Sequence, residues 1–368
     1  MSDRPGSARI VSLDGLRGCA IGAVLLHHYV QLKLPLTTVG WPNFLNHLLT
    51  LSWSGVDLFF VLSGFLIGGL LIDHRESPRL LPVFYLRRGL RILPLYYATL
   101  LVLFGWLHVG RYSHLPAWTY FTFTSNHGMA WFGTWDIGVL SVMWSLGVEE
   151  QFYLVAPWVI RWTQPARLLR VLLIVVAVAW VCRIAARLVD PTGASSRLLM
   201  PCRMDDFAFG MIAAWATRSP AARAWLERNL PDWWVLSLIA APPVAVLLYL
   251  RVRMDEWYLP LFGYTCLGAF YGTVVYTVVV RQPARLVALL SWGPLVSLGR
   301  LSYFIYLWHS IVMASVARHF LGRVDFPLDS LASVGLLAVA TGVTWALAWI
   351  SWQIFEGPLI KLGQRQAY

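Results

Sequence analysis

The residues with the clearest capacity for chemistry lie in one apolar stretch near the start of the chain, from Arg9 to Leu32. It carries Arg17 and His28, and ionisable side chains inside a membrane helix usually mark function. Their separation of eleven residues corresponds to three helical turns plus about 20°, so both side chains share one face, roughly 16 Å apart along the axis. That distance excludes a direct hydrogen bond and suits the two ends of one long ligand.

His28 is the strongest candidate for proton transfer, because an imidazole takes a proton from an alcohol near neutral pH. The adjacent His27 points about 100° away and is expected to pack or to bind a neighbouring helix. A purely structural hydrogen bond to another helix is the alternative interpretation of His28 itself.

A second polar group follows in the segment FYLRRGLRILP, residues 84–94. Arg88 and Arg91 are three residues apart and therefore neighbours on one helical face. The pattern predicts them at the start of a membrane span, where the helix N-terminus adds positive charge. Together these groups are expected to bind a phosphorylated ligand from the cytoplasm; an anchor to lipid headgroups is the alternative.

Acidic residues form the third group. Glu149 and Glu150 are adjacent in MWSLGVEEQFYLVAP and point about 100° apart, so one is expected to orient a histidine or hydroxyl while the other pairs with an arginine. A structural ion pair is the alternative for either. Asp57 needs a partner, and an arginine or histidine from another span is expected. The remaining residues with a predicted supporting role are Asp14, Ser63, Trp144, Ser145, Tyr306 and His309.

The composition indicates an integral membrane protein. Of 368 residues, 58% are hydrophobic and 13% charged, against about 25% charged in soluble domains. The net charge of +11 is spread between apolar segments, which fits cytoplasmic arginines and predicts no nucleic-acid partner. The four cysteines lack metal-ligand spacing, so no metal site is expected, and a disulfide between Cys182 and Cys202 is a minor alternative.

The elements that position these groups are predicted to be about ten transmembrane helices in an all-α polytopic bundle. The arginine-rich segments predict cytoplasmic N- and C-termini by the positive-inside rule, although Arg183, Arg187, Arg197 and Arg203 fall on the outer side. The aromatic, Ser/Thr-rich segment 116–133 is predicted to be a re-entrant segment or a half-span. The ten spans are 10–31, 51–73, 91–109, 139–160, 168–189, 204–217, 232–250, 260–280, 295–318 and 332–354.

Six blocks of the sequence resemble the acyltransferase-3 family of membrane O-acyltransferases. They are LDGLRG with the Arg17 to His28 spacing, VDLFFVLSGFL, FYLRRGLRILP, WSLGVEEQFYL, SYFIYLWHS and the final FEGP. The resemblance implies transfer of an acyl group, usually acetyl, from cytoplasmic acyl-CoA to a hydroxyl of an envelope glycan, a lipid-linked sugar or a related glycoside. His28 then corresponds to the family's essential histidine, Arg17 to its paired arginine, and Arg88 and Arg91 to the cytoplasmic arginine pair.

The resemblance also implies a single transmembrane domain over residues 1–368, in the inner membrane of a bacterium. Many relatives carry an SGNH hydrolase-like domain after the bundle, and none is expected here. Acyl-CoA is expected as a donor substrate and not as a permanently bound cofactor. His28 is predicted to act as general base or as transient acyl carrier, with Glu149 or Glu150 in support; the oligomeric state stays open.

The residues that would bind the acceptor are harder to predict from the sequence than those that would bind the donor. Trp118, Trp131, Trp135 and Trp144, with Asn126 and His127, could stack on sugar rings, although an aromatic membrane belt explains most of them. Arg203, Asp205 and Asp206 are expected to line an outward vestibule. The alternative function is a transporter or flippase for a lipid-linked sugar, since buried arginines, carboxylates and histidines also suit a translocation pathway.

Overall fold

The computed structural model describes residues 10–35, 40–229 and 257–368, and within these ranges every regular element is a helix. The helices of the first half are α1 (Val11–Leu25), α2 (Gly40–Leu48), α3 (Gly55–Asp73), α4 (Leu80–Leu100), α5 (Trp118–Phe121), α6 (Ser125–Phe132), α7 (Gly138–Ser141), α8 (Met143–Trp162) and α9 (Leu168–Val189). Those of the second half are α10 (Ala194–Leu198), α11 (Met204–Arg218), α12 (Pro220–Asn229), α13 (Tyr264–Tyr276), α14 (Ala284–Leu290), α15 (Gly293–Arg300), α16 (Ser302–Leu321), α17 (Leu331–Ser351) and α18 (Gly357–Gln364).

Several helices continue into segments of different winding. Wider π turns cover Leu26–Val30 after α1, Leu101–Trp106 after α4, Leu259–Gly263 before α13, Thr277–Arg281 after it and Trp352–Glu356 after α17. Tighter 3-10 turns cover Gln31–Lys33, Ser52–Ser54, Val109–Arg111, Pro165–Arg167 and Met200–Cys202. Segments of this kind often accompany functional sites.

Of the described residues, five helical segments are long and apolar enough to cross a membrane. They are Gly40–Asp73, Leu80–Trp106, Pro165–Val189, Leu259–Arg281 and Leu331–Gln364. On α9 and α17, large apolar side chains such as Ile174, Val181, Val343 and Trp345 are exposed, as expected for helices that face lipid and not water.

Each of these five segments contains or overlaps one of the ten predicted spans. Of the other five predictions, 232–250 lies outside the described residues. The segments 10–31, 139–160 and 204–217 are helical but fall outside the set of five; they carry Arg17 and His28, Glu149 and Glu150, and Asp205 and Asp206. The full set of ten spans and the orientation of the termini stay predictions.

Two predicted elements differ from the structure. The span 295–318 is two helices, because α15 ends at Arg300 and α16 begins at Ser302. The segment 116–133 is the two short helices α5 and α6. Apolar content alone does not reveal these breaks in direction.

The bundle has two ends, and at each end an ion pair joins neighbouring segments. At one end, Arg218 of α11 forms a two-pronged ion pair with Asp73 of α3, at 2.8 Å for each contact. At the other, Lys33 pairs with Asp325. We call the first the arginine end, since Arg17, Arg88 and Arg91 also lie toward it, and the second the cavity end.

The crossing of α3 and α11 is a direct backbone contact. A Cβ atom on Gly64 would lie 2.1 Å from the carbonyl oxygen of Phe207, and one on Gly210 would lie 2.0 Å from that of Val61. Small residues allow helices in a membrane to approach this closely.

We predict that Gly64→Ala lowers the melting temperature of the detergent-purified protein, because the added methyl group forces the two backbones apart. Overpacking of this kind costs about 1–3 kcal/mol. Gly342→Ala is the matched control, since a Cβ at Gly342 of α17 meets nothing within 4 Å, and it should leave stability unchanged or slightly raised. Equal melting temperatures for both variants would contradict the close approach.

Candidate active site

Helix α1 changes its winding at His28. The π turn Leu26–Val30 contains both histidines, and the Nδ1 atom of His28 lies 3.0 Å from the carbonyl oxygen of Val24. A carbonyl oxygen only accepts, so in the neutral ring the proton sits on Nδ1 and the lone pair on Nε2. His28 therefore presents Nε2 as a base, and the local backbone fixes this tautomer.

A second histidine packs against the first. The ring of His309, on α16, lies 4.9 Å from that of His28 between centroids, at an interplanar angle of 60°. Its Nδ1 is bound by the carbonyl oxygens of Ile305 and Tyr306, at 3.0 and 2.8 Å. In the described part of the chain its buried Nε2 has no hydrogen-bond partner. The supporting role predicted for His309 thus has a definite geometry, contact with His28.

His28 lines a large cavity at the end of the molecule where Lys33 pairs with Asp325. Its volume is about 1800 Å³, which exceeds the usual few hundred to 1,000 Å³ of small-molecule sites. His27, Trp144 and Tyr306 share its wall with His28. The cavity is large enough for an extended ligand to reach the Nε2 atom.

The three predicted phosphate-binding arginines come together at the arginine end. Arg91 interacts electrostatically with both Arg17 and Arg88, although Arg17 is far from the other two in sequence. The Nη2 atom of Arg17 lies 3.4 Å from the hydroxyl of Ser302, and the guanidinium of Arg88 lies 5.7 Å from the ring centre of Tyr153. The sequence analysis predicted this group, and its role in phosphate binding stays a prediction.

The position of Arg88 and Arg91 within their helix differs from the prediction. Helix α4 begins at Leu80 and not at residue 91, so both arginines lie beyond its first two turns. The field of a helix N-terminus fades within about one turn. The positive charge of this group therefore comes from the guanidinium groups themselves.

Glu149 belongs to the arginine group. Its carboxylate accepts hydrogen bonds from Ser63 and Tyr153 and interacts electrostatically with Arg17 and Arg91. Glu150 interacts with Glu149 and Arg88. In the described part of the chain, the charged side chains that act on His28 are the cations Arg197 and Lys33. The support of the imidazole by Glu149 or Glu150 stays a prediction.

The other supporting residues lie in two places. Near the arginine end, Asp14 pairs with Arg300 at 3.7 Å. Near the cavity, the hydroxyls of Ser145 and Tyr306 are 2.6 Å apart, and Tyr306 also donates to the carbonyl oxygen of Val142 at 3.0 Å. This pair joins α8 to α16 beside His309.

Asp57 has the arginine partner that the sequence analysis expected, since Arg203 binds it from the segment before α11. Arg203 also pairs with Asp206 at 2.7 Å, while Arg183 of α9 pairs with Asp205 at 2.7 Å. All five side chains are buried. The expectation that Arg203, Asp205 and Asp206 line an outward vestibule is wrong, because all three are buried inside the bundle, where Arg203 pairs with Asp206 and Asp205 pairs with Arg183.

Of the aromatic residues proposed for sugar stacking, Trp135 and Trp144 line the cavity. Trp118 and Trp131 are exposed and stand apart from its lining. Asn126 is buried and binds the carbonyl oxygen of Leu198 at 3.1 Å, and His127 binds Asn126. The four cysteines are free thiols, so the pairing of Cys182 with Cys202 is not formed. No group of three or more metal-ligating side chains occurs among the described residues.

One cavity residue was missed by the sequence analysis as part of a site. Arg197 of α10 lies between the rings of Trp53 and Trp135, at 5.5 and 4.9 Å from their centres. The sequence contains one indication that Arg197 has a function: its predicted position on the outer side departs from the positive-inside rule. The two tryptophans are too distant in sequence for a pattern to connect them with it.

A family model described as an acyltransferase domain matches residues 10–351. The chain belongs to the acyltransferase-3 family. The match contains every predicted catalytic and donor-binding residue. No solved structure matches the chain significantly.

Curated relatives of this acyltransferase-3 protein carry acetyltransferase names. The O-acetyltransferase OatA of Staphylococcus aureus is 26% identical over 95% of this chain. The peptidoglycan O-acetyltransferase OatA of Listeria monocytogenes is 25% identical over 96%, and the putative peptidoglycan O-acetyltransferase YrhL of Bacillus subtilis is 28% identical over 97%. The matched region spans 56–57% of the length of these relatives.

We predict that Asp57→Ala strongly destabilises the protein, because it leaves Arg203 with one buried carboxylate in place of two. Removing one partner of a buried ion pair costs about 3–5 kcal/mol. Asp73→Ala is the matched control: its ion pair with Arg218 is half-exposed, and such pairs contribute about 1 kcal/mol or less. Thermal unfolding of both variants in detergent should separate them clearly, and similar melting temperatures would contradict a stabilising role for the buried network.

Proposed function

We propose that this protein is an acyl-CoA-dependent O-acyltransferase of a bacterial inner membrane, with His28 as its central catalytic residue. The observation that carries the proposal is the state of His28. Its Nδ1 is bound to the carbonyl oxygen of Val24, and the ring borders a cavity of about 1800 Å³. An imidazole in this state accepts a proton from a hydroxyl at Nε2.

The donor binds by its phosphates at the arginine end. Arg17, Arg88 and Arg91 supply planar guanidinium groups, which suit bidentate contacts with phosphate. Arg17 and His28 are separated by roughly 16 Å along α1, so the pantetheine arm of acyl-CoA runs beside this helix and brings its thioester to His28. Acetyl is the proposed acyl group, in keeping with the names of the relatives.

Two chemical routes are consistent with this arrangement. In the direct route, Nε2 takes the acceptor hydroxyl proton while that oxygen attacks the thioester carbonyl; the C–S bond then breaks, and the imidazolium returns the proton to the CoA sulfur. In the two-step route, Nε2 attacks the carbonyl first and the C–S bond breaks to release the CoA thiolate. The acceptor oxygen then attacks the acyl group, the C–N bond to the imidazole breaks, and the hydroxyl proton passes to solvent, which protonates the thiolate. His309 contacts the His28 ring in both, and Glu149 or Glu150 balances charge near the donor.

The acceptor is a hydroxyl of an envelope glycan, a lipid-linked sugar or a related glycoside. Support comes from the two relatives whose names include peptidoglycan. The protein is proposed to cross the membrane about ten times as a single domain over residues 1–368, with both termini in the cytoplasm. The arginine end then faces the cytoplasm, where acyl-CoA is found, and the cavity end faces outward.

We predict that His28→Ala abolishes acetyl transfer from acetyl-CoA to a glycan acceptor and leaves a folded protein. The variant lacks both the base and the acyl carrier. Transfer is measured as acceptor-dependent release of free CoA by the detergent-purified protein, and folding by its melting temperature. His319→Ala, at an exposed position on α16, is the control. Full activity in His28→Ala would exclude the proposed role.

We predict that Arg88→Gln and Arg91→Gln raise the KM for acetyl-CoA about tenfold or more, because each removes a charge-assisted contact to phosphate. The KM for the acceptor should stay close to that of the unaltered protein. Arg161→Gln is the control, since Arg161 binds the carbonyl oxygens of Arg75 and Ser77. Acceptor binding without any CoA release would instead favour the transporter interpretation.

A further inference from the structure

The wall of the cavity is strongly cationic. Its described lining includes Lys33, Arg111, Arg197 and Arg318, and Asp325 is the single acidic residue among the described lining residues. These lining residues together carry four positive charges and one negative charge, and Lys33 pairs with Asp325. A cleft of one sign attracts ligands of the opposite sign.

Arg197 is the cation on which the inference depends. Its guanidinium lies between the indole rings of Trp53 and Trp135, which orients the planar group and limits its freedom. It also acts electrostatically on His28 and Tyr306. A preoriented arginine of this kind favours bidentate contact with a carboxylate or phosphate.

Hydrogen bonds to Asp136 hold the loop that carries Trp135 in place. The carboxylate of Asp136 accepts hydrogen bonds from the hydroxyls of Ser113 and Tyr120 and from the backbone N–H groups of His114 and Ile137. Burial by itself raises the pKa of Asp136, but these hydrogen bonds outweigh it and the pKa lies below its usual value. Asp136 is therefore charged at neutral pH, and it holds one wall of the Arg197 site in place.

Helix α2 and the turn that follows it add polar groups to the same cavity. Asn43, Asn46, His47 and Thr50 line it, at helical spacing along one face. The apolar side chains of Trp41, Phe44 and Leu48 are exposed on the other face. Amide groups both donate and accept hydrogen bonds, as sugar hydroxyls do. The cavity thus combines a preoriented cation with a polar wall suited to a saccharide.

Arg197 and the polar residues of α2 are placed, under the proposed function, to contact the acceptor and not acyl-CoA. Under the proposed function the donor phosphates bind Arg17, Arg88 and Arg91, roughly 16 Å from His28 along α1. Arg197 and Arg318 lie on the opposite side of His28, at the cavity end. An anionic group held there would come from the molecule that supplies the hydroxyl.

We propose that the acceptor is an anionic saccharide and that Arg197 binds its carboxylate or phosphate, placing a hydroxyl of the same molecule at Nε2 of His28. The inference rests on the proposed function, which it deepens by naming the charge class of the acceptor. Arg111 and Arg318, exposed near the mouth of the cavity, attract the anion before it reaches Arg197.

The test compares three saccharides with the purified full chain and acetyl-CoA: N-acetylglucosamine, which is neutral, N-acetylmuramic acid, which carries a carboxylate, and N-acetylglucosamine 1-phosphate. At least one anionic sugar should show a KM about 10- to 100-fold lower than the neutral sugar, the range for one charge-assisted contact. The preference should shrink as salt is raised. The better of the two identifies the anion, and equal KM values for all three would overturn the inference.

The variant Arg197→Gln should remove this preference, raising the KM for the anionic sugar toward that of the neutral one. The KM for acetyl-CoA should change little, and the effect on transfer to the neutral sugar should be smaller than the effect on transfer to the anionic sugar. Arg170→Gln, at an exposed position on α9 outside the cavity lining, is the matched control. An equal loss with neutral and anionic sugars, or a change confined to the KM for acetyl-CoA, would overturn the assignment.

A binding measurement separates this inference from the proposed function. Calorimetric titration of the His28→Ala protein with the same three sugars requires no catalysis, and tighter binding of an anionic sugar is expected. If the unaltered protein transfers acetyl without preferring anionic sugars, the inference fails and the proposed function stands. If no acetyl transfer occurs at all, the proposed function fails, and equal binding of the three sugars would overturn the inference as well.

Discussion

The compensation of charge inside an apolar bundle is the constraint on which the rest of this structure depends. A charged side chain away from water is costly unless it is paired and hydrogen-bonded. Arg183 and Arg203 meet that condition with three carboxylates on α3 and α11. At the arginine end, Arg17, Arg88 and Arg91 gather around Glu149, and Glu150 interacts with Arg88.

Much of the site could be predicted from the sequence, because helical spacing is informative over short distances. The adjacency of Arg88 and Arg91 follows from one rotation per residue. The common face predicted for Arg17 and His28 assumes a regular α-helix, and the structure has a π turn at His28. The need of Asp57 for a cationic partner follows from the cost of a buried charge. The structure supplies that partner, Arg203, which lies 146 residues away and which no local pattern could identify.

Other features depend on single residues or on distant contacts, and sequence patterns do not carry them. The π turn at His28 changes the winding over only five residues, too few for a periodicity to detect. Helix α4 begins at Leu80, eleven residues before the predicted start of the span, so Arg88 and Arg91 lie inside the helix and not at its N-terminus. The setting of Arg197 requires Trp53 and Trp135 to converge from separate segments. The sequence explained Trp135 equally well as part of an aromatic membrane belt.

The direct backbone contact between α3 and α11 has a mechanical consequence. No side chain separates Gly64 from the backbone of Phe207, or Gly210 from that of Val61, so the two helices cannot slide easily past each other. Ion pairs also join them at both ends: the buried pair of Asp57 with Arg203 at one end, and the half-exposed pair of Asp73 with Arg218 at the other. The two helices form a rigid strut through the molecule. Entry and exit of substrates must then be accommodated by the elements around this strut, such as α2 and the segments at the cavity mouth.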